Sequence, residues 1–170
     1  MRARFVTALL LLLMCFQAPG SAQTVGDIEA WEQLGRRELA TLPAVVRAYA
    51  NATGCAVLFD PKNVVRWDGE PREVRYLAFV SMDVGCAGGS RSWRSVFIAV
   101  REGASRRLFV APEFSGKTPL EFPQAMDSLV NTEDGVRFTG RAWQPGDTDN
   151  RPSSNVGGRV IWSGSGWTSR

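Results

Sequence analysis

The spacing of apolar and polar residues changes three times along the chain, and each change predicts a different kind of element. Positions 5–16 form a nearly unbroken apolar run, from Phe5 to Phe16, preceded by Arg2 and Arg4 and followed by Pro19-Gly20-Ser21-Ala22. A basic start, a short apolar stretch and a small-residue end are the pattern of a secretory signal peptide. Residues Met1 to Ala22 are therefore expected to be removed, and the working protein to begin at Gln23 in the periplasm or outside the cell. The run falls short of the about 20 residues that a membrane-spanning helix needs, and no later stretch is long enough, so no transmembrane span is expected in the mature chain.

A helical period follows. Asp27 can cap a segment in which Ile28, Trp31 and Leu34 recur at helical spacing, with Gly35 weakening its end. Pro43 then suits the first turn of a second helix whose apolar stripe is Val45, Ala48, Tyr49 and Ala52, and Gly54 supplies the stop.

Beyond Cys55 the period shortens to that of strands. Ala56 to Phe59 ends at Asp60-Pro61, and Val64 to Trp67 ends at the turn dipeptide Asp68-Gly69. Val74 to Val84 reads as a long strand with Tyr76, Ala78, Val80 and Met82 on one face and Leu77 and Phe79 on the other, so both faces are expected to be covered. Trp93 to Val100 and Arg107 to Val110 read as a hairpin, Phe122 to Val130 as a short helix opened by Pro123, and Val136 to Trp143 and Arg159 to Trp162 as closing strands. The expected fold is α+β: an antiparallel sheet of about five to seven strands with N-terminal helices packed on it. About 148 residues remain after the leader, enough for one core, and residues 23–170 read as a single domain.

Export changes the meaning of the cysteines. Cys15 leaves with the leader, and Cys55 and Cys86 remain, an even count where disulfides persist, so a bridge between them is expected. Met14, preceded by Leu12 and Leu13, stands where a lipid-attachment motif needs a small residue, so lipidation of Cys15 is not expected.

Charge and composition then narrow the chemistry. The chain has 20 Lys+Arg against 17 Asp+Glu, and loss of Arg2 and Arg4 leaves 18 against 17. A nearly balanced mature chain gives no reason to expect nucleic acid as a partner. Only Lys62 and Lys117 are lysines, so the positive charge is almost wholly guanidinium, which suits planar recognition of carboxylates. Arg91, Arg94, Arg101, Arg106 and Arg107 cluster in one stretch.

Histidine is absent, which excludes Ser-His-Asp and Cys-His catalysis and histidine-ligated metals. With both cysteines bridged, a thiol nucleophile is excluded too. Ser115-Gly116-Lys117-Thr118 has the tail of a phosphate-binding loop but Ala111 in place of its first glycine and Pro119 where a helix should begin, so it does not read as one. Asp147-Thr148-Asp149-Asn150 and Glu133-Asp134-Gly135 read as turns rather than as a calcium loop or an acid/base pair. No cofactor or metal is expected, and an enzyme is not. Carboxylates such as Asp83, Glu113 or Asp147 are the residues that a hydrolase reading would have to use.

Six tryptophans remain to be placed. Trp31 and Trp67 read as core. Trp93, Trp143, Trp162 and Trp167 sit at strand ends or beside Gly/Ser turns, where an indole can stay partly exposed and serve a binding face. Trp143, Trp162 and Trp167, with Arg91 and Arg94, are the candidate binding residues. The closing segment, Gly146-Asp147 through Pro152-Ser153, then Ile161-Trp162-Ser163-Gly164 and Trp167, resembles that of exported bacterial lipoproteins of the LppP/LprE type, with Arg151 where those carry a cysteine. That resemblance implies an envelope protein of unassigned activity and brings no catalytic residue with it. The function expected from these observations is a non-enzymatic periplasmic or secreted domain that binds or inhibits an envelope protein. The alternatives are a module that binds cell-wall glycan through exposed tryptophan and a carboxylate-dependent hydrolase.

Overall fold

A computed structural model describes residues 25–86, 93–116, 122–148 and 151–170, the side chains of 25–28 and 31–32 excepted. The expected leader Met1 to Ala22, the Trp31 side chain, Arg91, Lys117-Thr118 and Asp149-Asn150 lie outside the described residues. Two units are distinguished, residues 1–33 and 34–170. Helix α1 (Val25–Thr53) starts in the first and ends in the second, and all packing below belongs to the second.

The helix runs through Pro43, where two shorter helices were expected. A proline inside a helix removes one hydrogen bond to the carbonyl four residues earlier. Here that residue is Leu39, on a solvent-facing turn (43% exposed). The buried face differs correspondingly from the expected stripe. Leu42, Val46 and Ala50 are buried, Val45 and Tyr49 pack beside them, and Ala48 and Ala52 face solvent. Leu42, placed ahead of the expected helix start, is what turns the face. Gly54 ends the helix, its amide donating to the Ala50 carbonyl at 2.8 Å, and a Cβ there would stand 3.0 Å from that of Met82.

The strands form two antiparallel sheets. In the first, β3 (Tyr76–Asp83) pairs along one side with β1 (Ala56–Leu58) and β2 (Val64–Arg66) and along the other with β4 (Trp93–Glu102), which pairs with β5 (Leu108–Val110). The second runs in order β6 (Ala125–Thr132), β7 (Gly135–Ala142), β8 (Ser154–Trp162) and β9 (Trp167–Ser169). The α+β class stands, with the sheet divided in two.

Alternation along β3 and β4 builds two cores from one sheet. Ala78, Val80, Met82, Val96, Ile98 and Val100 point at the helix, while Leu77, Phe79, Phe97 and Ala99 point at the second sheet and meet Phe122, Leu129, Val136, Phe138, Val160 and Trp167. The expectation that both faces of the long strand are covered is met by a helix on one side and a sheet on the other. Cys55 and Cys86 form the expected bridge, Cα atoms 5.2 Å apart. The Cys55 amide also donates to the Asp83 carbonyl at 2.8 Å, so the helix end is tied to the end of β3 and to the residues that follow it.

Phe122 to Val130 is not helical. Its larger part is β6, paired with β7 across the Glu133-Asp134 turn with an irregularity between Met126 and Ser128. Pairing gives this segment ladder hydrogen bonds over almost its whole length, and Pro123 anchors its start, its carbonyl accepting from Ser95 Oγ at 2.6 Å.

Candidate functional site

Two short acidic turns from distant parts of the chain close over one end of the second sheet. The first follows β2, where Trp67 keeps its place beside β3, its amide donating to the Arg75 carbonyl at 2.8 Å, before the chain turns at Asp68-Gly69-Glu70. Glycine is required at 69, because a Cβ would stand 2.7 Å from Cζ2 of the Trp67 indole. The second turn joins β6 to β7. Gly135 has φ +111°, a conformation that favours glycine, and Thr132 Oγ1 donates to the Gly135 carbonyl at 2.8 Å.

These turns, with Arg159 to Trp162 of β8, line a groove of about 500 Å³. Its wall is aromatic. The Trp67 indole is buried and meets Trp167 edge to face, with centroids 5.0 Å apart. Trp162 is partly exposed and packs against Phe114 and Trp167 at 5.4 and 4.9 Å. The Trp67 Nε1 proton is buried without an acceptor, an arrangement that costs a folded protein free energy. Asp68, Glu70, Glu133 and Asp134 line the groove with Arg159, and three of these carboxylates have guanidinium partners just outside the lining. Asp68 is 2.9 Å from Arg66, Glu70 is 2.8 Å from Arg72 and Asp134 is 2.9 Å from Arg137, all at exposed positions, where such pairs hold weakly and can exchange partners. Among the described residues no group of three or more His, Cys, Asp or Glu is placed to hold a metal ion.

The described residues among those singled out from sequence do not assemble into one face. Trp167 is fully buried, its Nε1 donating to the Phe114 carbonyl at 2.6 Å and its ring against Trp67, Phe97 and Trp162. It is core because β9 folds back on β8 and turns that indole between the sheets. Trp143 is exposed (37%) at the end of β7 where β8 begins, whereas Trp162 closes the other end of β8. Nine residues of strand put about 26 Å between those ends. Arg94 is exposed on β4 and donates to the Trp93 carbonyl at 3.0 Å. Among the described candidates, only Trp162 lines the groove.

The carboxylates of the hydrolase reading are likewise dispersed. Asp83 is buried on β3 and accepts from the Gly85 amide at 3.1 Å. Glu113 pairs with Arg101 at 3.2 Å on the surface. Asp147 closes its own loop, accepting from the amides of Gln144 at 2.9 Å and Ser153 at 3.0 Å and from Ser153 Oγ at 2.5 Å. Those bonds, the Ser153 hydroxyl foremost, hold its carboxyl below the ordinary value. Ser115 is buried, its hydroxyl donating to the Ala111 carbonyl and accepting from the Ala99 amide, a strap between strands.

No family model, curated protein or solved structure matches the chain. The sequence marks Asp68-Gly69 and Glu133-Asp134-Gly135 as turns, which they are. Only the packing of the two sheets brings these turns, at positions 68–70 and 133–135 of the chain, to one groove.

Proposed function

We propose that this protein is a non-enzymatic binding domain of the cell envelope or exterior, and that its groove takes a basic segment of a partner protein. The observation that carries the reading is the combination of four rim carboxylates with a tryptophan wall. A guanidinium or ammonium is attracted both to carboxylates and to indole faces, and tryptophan supplies contact area at small entropic cost. The leader-like residues Met1 to Ala22 and the Cys55–Cys86 bridge support an exported, oxidising location. The wide separation of the candidate carboxylates supports binding over hydrolysis.

Calorimetric titration of the purified protein with a ten-residue lysine peptide at low salt tests the reading, with a neutral chitin tetrasaccharide as the second arm. The double substitution Glu70→Gln/Glu133→Gln removes two exposed charges and is expected to weaken the peptide by about tenfold while leaving the melting temperature in place. Trp162→Ala is expected to weaken it comparably. Absence of peptide binding, or binding of the tetrasaccharide in its place, overturns the proposal.

A further inference from the structure

The outward face of the second sheet carries an arrangement that the groove does not explain. Arg137 on β7 stands directly opposite Arg159 on β8. Arg159 in turn exchanges both backbone hydrogen bonds with Arg170, at 2.8 and 3.0 Å. Directly opposed residues of antiparallel strands share a face, so three arginines lie in one row, on β7, on β8 and just past the end of β9. Because Arg159 spends both its backbone groups on Arg170, its pairing with Arg137 is the non-hydrogen-bonded kind, with Cα atoms about 4.5 Å apart, and the Arg159–Arg170 spacing is about 5.5 Å.

Like charges directly opposed across strands destabilise a sheet. Asp134 pairs with Arg137 at 2.9 Å. Arg159 Nη1 donates to the Asp134 backbone carbonyl at 3.1 Å. The row borders a shallow depression of about 450 Å³ where Gly157 leaves the outward face without a side chain. The absence of side chains there lets a ligand approach the guanidiniums from the flank. Thr139 and Gly157, the next outward pair, carry neither charge nor ring.

We infer that this row binds a linear acidic polysaccharide, one carboxylate per sugar, laid across the strands. A guanidinium presents a planar fork that matches a carboxylate, and a row of such forks across the strands presents cationic charge along a line, as a linear polyanion presents its carboxylates. Single-stranded nucleic acid is the poorer fit, since proteins that hold it interleave aromatic platforms with their positive charge, and this row has none. The row meets the groove at Arg159, which lines both, whereas Arg170 does not line the groove.

The test is binding of the purified protein to immobilised polygalacturonate, with neutral dextran, single-stranded DNA and phosphatidylglycerol vesicles as further arms. Polygalacturonate is expected to bind, to be displaced by salt, and to weaken by tenfold or more in Arg137→Ala/Arg170→Ala and in Arg159→Thr. The melting temperature of both variants is expected to stay unchanged or rise, because each removes a like-charge opposition. Arg170→Ala alone, away from the groove lining, is expected to weaken polygalacturonate while leaving lysine-peptide binding unchanged, which separates failure here from failure of the groove reading. Arg159→Lys, keeping charge without the fork, is expected to fall between. Failure of polygalacturonate to bind, retention of full binding by the variants, or tighter arginine-dependent binding of DNA or vesicles overturns the inference.

Discussion

Replacing Trp167 with alanine puts the heaviest strain on the packing described above. The residue is fully buried, it meets three aromatic rings at centroid distances of 4.9 to 6.1 Å, and it donates to the Phe114 carbonyl at 2.6 Å. Deleting a buried tryptophan costs about 3 to 5 kcal/mol through lost transfer and the cavity left behind. Orphaning the Phe114 carbonyl adds about 1 kcal/mol or more. The expected loss of about 4 to 6 kcal/mol compares with the about 5 to 15 kcal/mol that holds a domain folded. With a urea dependence of about 2 kcal/mol/M, the unfolding midpoint should fall by about 2 to 3 M. Urea unfolding followed by far-ultraviolet circular dichroism measures this without relying on tryptophan emission. Trp167→Phe keeps an aromatic ring, loses the indole donor, and should cost about 1 to 2 kcal/mol. Trp143→Ala, at an exposed site, should stay within about 0.5 kcal/mol of the parent. A Trp167→Ala cost below about 1 kcal/mol would refute the placement of this indole between the sheets.

Other perturbations probe separate parts of the fold. Cys55→Ser opens a loop with a sequence separation of 31 and should cost about 3 to 4 kcal/mol in the chain-entropy account, seen as a lowered urea midpoint; titratable thiols on the native parent would contradict the bridge. Gly140→Ala places a Cβ against the Ala125 carbonyl and 2.6 Å from that of Pro123, so overpacking should cost about 1 to 3 kcal/mol in the same assay, and a neutral substitution would contradict the close approach of β6 to β7. Asp147 has a lowered folded value, so its contribution is present above its unfolded value and is lost as pH falls through the folded one. Its carboxyl resonance should therefore titrate below the usual 3.8 and protease sensitivity of the loop should rise only under strong acid, whereas titration at or above that value would contradict the Ser153 and Gln144 bonds.

What could be read from sequence follows from which signals are local. The two apolar faces of β3 are legible because each carries large side chains in strict alternation, and the pairing of Cys55 with Cys86 follows from their being the two cysteines outside the leader. The helix expected at Phe122 to Val130 shows the opposite case. Phe122, Ala125, Met126, Leu129 and Val130 recur at helical spacing, yet pairing with β7 decides the structure, and no local window contains that pairing. Pro43 misleads for a similar reason, since a helix tolerates it when burial of Leu42 and Val46 on either side outweighs one lost hydrogen bond. Strand β9 is three residues long, too short for a period, so Trp167 looks like a rim residue until the chain is folded back. The groove was the least legible part. Its acids occupy turns that any surface loop could carry, and the arginine row depends wholly on register.

The most direct test of the groove as the binding site is the indole N–H region of a nitrogen–proton correlation spectrum recorded while the lysine peptide is added. The resonances of Trp67 and Trp162, assigned through single tryptophan substitutions, are expected to shift together and saturate with the calorimetric affinity, while that of Trp143 stays in place. A shift of the Trp143 signal with Trp67 and Trp162 unmoved would contradict the account.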